Sequence, residues 1–233
     1  DPRSGGVWGP HPSLELVVIP VQHCRHGADL FREHAQVHGG VAHFHHPAQR
    51  RVALDQRLIG ILQVAKAGGE RSHHPARRHG VLFVCLGNIC RSPLAEAVFR
   101  ATAQRAGVAG RFTIDSAGTI GWHAGNPPDW RSISHAAKRG YDLTPLRARP
   151  VIAADFARFD WILAMDRSIQ HALEAMRPAH WPGHVGLFLD FAPHLRQIEV
   201  PDPYDGGADG FETVLDLIEA GSESLLAHLV RPE

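Results

Sequence analysis

Cysteine is scarce in this chain of 233 residues: it occurs only at Cys24, Cys85 and Cys90. So small and odd a number excludes the paired disulfide framework of small secreted domains. Long apolar runs are missing too. None approaches the roughly 20 residues that a membrane helix needs. The longest early run, residues 16–21, contains a proline and is too short for the core of a signal peptide. Net charge is absent, with 24 Lys+Arg against 24 Asp+Glu, so nothing draws the chain as a whole to nucleic acid or an anionic membrane. Together these absences lead us to expect a soluble, cytoplasmic protein without nucleic-acid or membrane partners.

What is present is unevenly spread. Residues 1–80 are basic and hold eleven of the 18 histidines, while the remainder is mildly acidic. Residues 14–21 have the composition of a strand. Residues 53–66 have helical periodicity, with Leu54, Leu58, Ile61, Leu62 and Ala65 on one face. His43, His45, His46, His73 and His74 invite a metal-site reading, but no Asp, Glu or Cys partners stand around them at ligand spacing. The chain opens on Asp1, and its methionines are Met165 and Met176. The expectation is therefore a basic extension over residues 1–78, either disordered or translated from upstream of the true start, followed by one domain over residues 79–233. No metal and no cofactor is expected.

From Val81 the texture changes. Residues 81–84 form an apolar run suited to a strand buried on both faces. Residues 85–90 read as a loop. Ser92 and Pro93 are expected to open a helix to about Arg105, as cap and first helical residue, with Gly107 as its stop. Further strands are expected at residues 112–115, 159–164 and 185–189. Helices are expected at about 129–139, at about 166–176 with Asp166 as cap, and from a capping box formed by Asp209 and Glu212. Strands alternating with helices predict an α/β fold: a three-layer, doubly wound, parallel four-stranded sheet with helices on both faces. Ligands in such folds bind beyond the carboxyl ends of the strands, where the loop after Val84 lies.

A loop joining a strand to a helix N-terminus is a phosphate cradle, because its N–H groups and the helix dipole favour an anion. Cys85 at its base is expected to be held as a thiolate by the same field. Arg91, six positions on, can grip two phosphoryl oxygens with its planar fork. Leu86, Gly87, Asn88, Ile89, Cys90 and Ser92 are the expected substrate-binding residues of the loop. Gly87 admits close approach of a ligand, Asn88 tolerates a left-handed conformation, and Ser92 can donate to the sulfur. The cysteine-to-arginine spacing is weak evidence by itself, since a buried cysteine at a strand end is commonly plain packing. A phenolate is a poor leaving group, because phenol titrates near a pKa of about 10. A proton donor is therefore needed. Asp202, in a loop pinned by Pro201 and Pro203, is the first candidate, and Asp205 is the second.

CLGNICRSP at residues 85–93 together with DPYDG at 202–206 resembles the low-molecular-weight protein tyrosine phosphatases of bacterial type. Supporting stretches lie at residues 115–131, 159–168 and 189–193. Nothing in residues 1–80 resembles that family. The resemblance implies hydrolysis of protein phosphotyrosine through a phosphocysteine on Cys85, with Arg91 binding phosphate and Asp202 as acid and then base. It implies that Ser116, with Asn88 and Ser92, supports the loop, and that Trp122 and Tyr204 flank the substrate ring. It implies phosphotyrosine proteins as partners, a bacterial tyrosine kinase as their source, and a monomer or weak dimer. It also implies a reversible disulfide between Cys85 and Cys90 under peroxide.

Two positions depart from the family pattern. A histidine that buttresses the loop asparagine is replaced by Leu146, so Asn88 is expected to rest on Ser92 and Ser116 alone, or on a water. A second tyrosine after Tyr204 is replaced by Asp205, which adds negative charge beside Asp202. Alternatives are a protein-arginine phosphatase, an arsenate reductase of the same fold, a phosphocarrier and a silent binding module. Ile89 and Tyr204 favour tyrosine over arginine. The lack of any cysteine after Cys90 disfavours the reductase, and Arg91 with Asp202 disfavours the carrier.

Overall fold

The computed structural model describes residues 78–204 and 206–231. The early strand, helix and histidine cluster, the extension over residues 1–78 and Asp205 fall outside or almost wholly outside those residues. Strand β1 (His79–Cys85) is apolar after its opening histidine, and from Gly80 onward every residue is buried. It pairs in parallel with β2 (Phe112–Gly118) on one side and β3 (Trp161–Ala164) on the other. Strand β4 (His184–Leu187) continues the sheet in the order β2-β1-β3-β4. The chain thus runs from β1 outward to β2 and then back across to β3. That reversal opens a crevice at the carboxyl end of β1.

Side-chain alternation along β1 divides the core in two. Val81, Phe83 and Cys85 enter one apolar cluster, formed with α1 (Arg91–Arg105), α2 (Trp130–Lys138) and α5 (Ala208–Leu229). Leu82 and Val84 enter a second, with Phe156 of the short α3 (Asp155–Arg158) and Ile169 and Leu173 of α4 (Arg167–Met176). These are the three layers expected. Phe83 is the hinge of the larger cluster, with edge contacts to Phe99 at 5.6 Å and Phe188 at 5.3 Å. Truncating such a ring to alanine costs about 3–5 kcal/mol.

Helix ends divide the expectations. Asp166 caps α4, its Oδ1 accepting from the Ile169 N–H at 2.9 Å, and Asp129 caps α2 by accepting from the Arg131 N–H at 2.8 Å. Gly107 follows α1 with a φ of 71° and Gly140 follows α2 with a φ of 83°, conformations that glycine adopts without cost. Ser92 is not a cap. The helix opens two residues earlier, with Cys90 at the cap position and no side-chain cap bond, so Pro93 is the third helical residue. The Asp209–Glu212 box does not form either. Gly207 precedes α5 without a side-chain cap, and Glu212 instead accepts from His135 of α2 and from Arg139 at its C-cap. The second strand runs on to Gly118, the third starts at Trp161, and the fourth ends at Leu187.

Candidate active site

The loop from Cys85 to Arg91 folds over the end of β1 and is held from behind by backbone bonds. The N–H groups of Thr119 and Ile120 donate to the carbonyls of Cys85 and Leu86 at 3.0 and 3.1 Å. Gly118 lies directly beneath. A Cβ there would fall 2.7 Å from the Leu86 carbonyl oxygen and 3.0 Å from the Asn88 nitrogen, so an alanine could not be seated without moving the loop. Gly118 was not singled out from the sequence, although it ends the run Ser116-Ala117-Gly118 whose serine was.

Asn88 is the pivot. Its φ is 55°, the left-handed conformation expected of it. Its backbone N–H donates to Cys85 Sγ at 3.3 Å. Its side-chain amide donates to Ser92 Oγ at 2.9 Å and Ser116 Oγ at 3.0 Å. The expectation that it rests on these two serines alone, or on a water, is corrected here: Asn88 Oδ1 accepts from the Arg149 N–H at 2.9 Å. The backbone three residues beyond Leu146 does the buttressing, and Leu146 packs against the larger core. Ser116 in turn donates to Glu96 Oε2 at 2.7 Å. Burial raises the Glu96 carboxyl above its usual range, partly offset by Ser116 and Arg100.

Cys85 is 3% exposed, with Sγ 3.1 Å from Ser92 Oγ. Ser92 Oγ also lies 3.2 Å from the Ala117 carbonyl, so its one hydroxyl proton has two acceptors within reach. Cys90 is buried as well. Burial first, then the charge of Asp129, pushes its thiol up to about 12.

Arg91 is 4% exposed, and both of its terminal nitrogens are bonded. Its Nη1 donates to Asp166 Oδ2 at 2.6 Å and to the Val200 carbonyl at 3.2 Å. Its Nη2 donates to Asp202 Oδ2 at 2.6 Å. The sequence marked Asp166 only as a helix cap; the structure gives its second oxygen to Arg91. No sequence signal links the two, because 75 residues separate them.

A cavity of about 480 Å³ opens above the loop. Cys85, Leu86, Gly87, Ile89, Cys90, Arg91, Asp202, Trp122 and Tyr204 all line it. Ile120 and His123 line it too and were missed, since an isolated isoleucine or histidine in a loop carries no periodic signal. Asn88, Ser92 and Ser116 are not on its wall. They are buried behind the loop, so the side chains of Asn88 and Ser92 shape the floor instead of facing a ligand. Trp122 is 85% exposed and Tyr204 50% exposed, which gives the mouth two aromatic faces.

A family model described as low molecular weight phosphotyrosine protein phosphatase matches residues 80–233. The chain belongs to that family. Among relatives of the family, a putative low molecular weight protein-tyrosine-phosphatase of Synechocystis is 45% identical over 150 residues, covering 64% of this chain and 95% of its own. The protein YfkJ of Bacillus subtilis, a low molecular weight protein-tyrosine-phosphatase, is 43% identical over 149 residues, covering 64% and 94%. A crystal structure of a protein tyrosine phosphatase from Entamoeba histolytica with Hepes in the active site superimposes with a TM-score of 0.63 at 40% identity, covering 65% of this chain and 96% of that one. A Drosophila arginine phosphatase superimposes with a TM-score of 0.60 at 31% identity, covering 64% and 96%. The family places the chain among phosphoric monoester hydrolases.

Proposed function

We propose that this enzyme hydrolyses protein phosphotyrosine, and small aryl phosphates, through a phosphocysteine on Cys85. The observation that carries the reading is the convergence of Cys85, Arg91 and Asp202 on one cavity, with Arg91 Nη2 2.6 Å from Asp202 Oδ2. Cys85 Sγ attacks phosphorus as a thiolate while the P–O bond to the phenol breaks. Asp202, protonated at that stage, gives its proton to the departing oxygen. Protonation also frees Arg91 from its ion pair with Asp202 and leaves its fork to the equatorial oxygens, still anchored by Asp166. The Ser92 proton turns from the Ala117 carbonyl to the sulfur when Cys85 carries charge. In the second half, Asp202 accepts a proton from water as the water attacks the phosphocysteine. The S–P bond breaks, releasing phosphate and the thiolate. Arg91 and the loop amides supply the positive field, so turnover proceeds in the presence of a chelator.

Ile89 on the cavity wall and Tyr204 at its mouth favour an aromatic substrate. The likeness to an arginine phosphatase makes phosphoarginine the second reading. The proposed setting is the cytoplasm, with phosphotyrosine proteins made by a bacterial-type tyrosine kinase as substrates and the enzyme acting as a monomer or weak dimer. Turnover of phosphotyrosine, phosphoarginine and arsenate, measured side by side, separates the readings, phosphotyrosine being the expected substrate. Cys85→Ser is expected to abolish turnover. Asp202→Ala is expected to slow poor leaving groups by about a hundredfold or more and good ones far less. Activity surviving in Cys85→Ser would sink the mechanism.

A further inference from the structure

Arg131 and Asp129 take no part in the chemistry above, yet they bridge its two halves. The Asp129 N–H donates to the Ile89 carbonyl of the cradle at 2.8 Å. The Asp129 carboxylate takes Arg131 Nε at 3.0 Å and Nη2 at 2.9 Å, a two-point fork. The remaining Arg131 nitrogen, Nη1, donates to the Tyr204 carbonyl at 2.9 Å. The guanidinium carbon lies 5.3 Å from the Tyr204 ring centre and 5.0 Å from that of Phe211, which is fully buried in α5. Tyr204 N–H in turn donates to Asp202 Oδ1 at 3.1 Å. A continuous path of bonds therefore runs from the wall of the cradle, through one ion pair, to the carboxylate of the acid.

We infer that the Asp129–Arg131 pair is a positioning clamp that fixes the acid loop, and with it Asp202, at working distance from the cradle. Two facts argue against a merely structural salt bridge. Asp129 caps α2 and Arg131 lies in its first turn, so the pair is held by a helix end, while its outward bonds reach the Ile89 carbonyl of the cradle and the Tyr204 carbonyl of the acid loop. The fork is also formed in the absence of substrate, at 3.0 and 2.9 Å, and the hydrogen bond from Arg131 holds the Asp129 carboxyl below the usual carboxylate range against the opposing effect of burial. Arg131 acts through Asp202 and touches no reacting atom. A displacement of the acid by about 1 Å is enough to change rates by one to two orders of magnitude.

The inference rests on the hydrolase reading, and its test keeps the two separable. Aryl phosphates whose phenols range from acidic (4-nitrophenol) to ordinary (phenol) are compared by kcat/KM. Arg131→Met is expected to lose about tenfold on phenyl phosphate and less than about twofold on 4-nitrophenyl phosphate, because only the poor leaving group depends on a well-placed proton. Arg131→Lys keeps the charge but not the fork and is expected to fall between. It serves as the working variant if the methionine protein does not fold. In an Asp202→Ala background, Arg131→Met is expected to add less than about twofold on either substrate. Equal losses across the series, or a full further loss without Asp202, would overturn the clamp alone. A wild-type protein inactive on every member would overturn the hydrolase reading and the clamp with it.

Discussion

Asn88 and Cys90 stand two residues apart in the cradle and differ in how far the sequence disclosed them. The left-handed backbone of Asn88 was legible, because asparagine tolerates it better than other side chains except glycine. Its bond from the Arg149 N–H was not legible, because a backbone donor has no residue signature and any side chain at that position supplies it. For Cys90 the spacing to Cys85 was visible but its protonation was not, since that depends on burial. The thiol is raised from 9.0 to about 12, so at neutral pH it is protonated and a poor nucleophile. If peroxide oxidises Cys85 to a sulfenic acid, the Cys90 thiolate must attack that sulfur, forming the S–S bond as the S–O bond breaks and hydroxide leaves, to be protonated by solvent. The crosslinking rate is therefore expected to rise about tenfold per pH unit from pH 7 to 9. The crosslinked and sulfinic forms can be followed by mass spectrometry. A rate flat with pH, or sulfinic acid at Cys85 without crosslink, would count against Cys90 as the partner.

Helix α1 shows why some elements were read well and their ends poorly. Its existence and its stop at Gly107 follow from local pattern. Its start does not, because Ser92, a good capping residue in isolation, is claimed by Asn88 and Cys85. The same competition dissolves the expected box on α5, where Glu212 is taken by His135 of α2 and by Arg139 at its C-cap. Local rules give way when a long-range partner offers a stronger bond. Helix α1 also holds Glu96, a carboxylate 4% exposed in mid-helix. Its carboxyl is raised by burial, so the folded state favours the protonated form. The stabilising contribution is complete below the ordinary value near 4.5 and is lost as pH rises through the folded value. Glu96→Gln, which keeps an acceptor for Ser116, is expected to be more stable than the parent at pH 7 relative to their difference at pH 4. Paired melting curves at the two pH values measure this. An identical difference at both would show that ionisation of Glu96 has no bearing on folding.

At the scale of the molecule, alternation of strands and helices disclosed three layers. The order β2-β1-β3-β4 was not spelled out by any segment, since it depends on which faces bury best against one another. The core described here begins at β1, whose Gly80 N–H is already tied to Asp160 at 2.9 Å. A protein starting at residue 79 is therefore expected to melt cooperatively and turn over aryl phosphate at the full-length rate, checked by calorimetry and kcat/KM. Loss of either would show that the preceding residues are needed. The anchoring of Arg91 carries a further consequence in time. The guanidinium is held by Asp166 at the end of β3 and by the segment of Val200 and Asp202. During synthesis the cradle precedes its anchors, Asp166 by 75 residues and Asp202 by 111, so Arg91 gains its full set of partners only when both have followed and docked. On the proposed mechanism, a chain that ends before Asp202 carries Cys85 and Arg91 without the proposed proton donor.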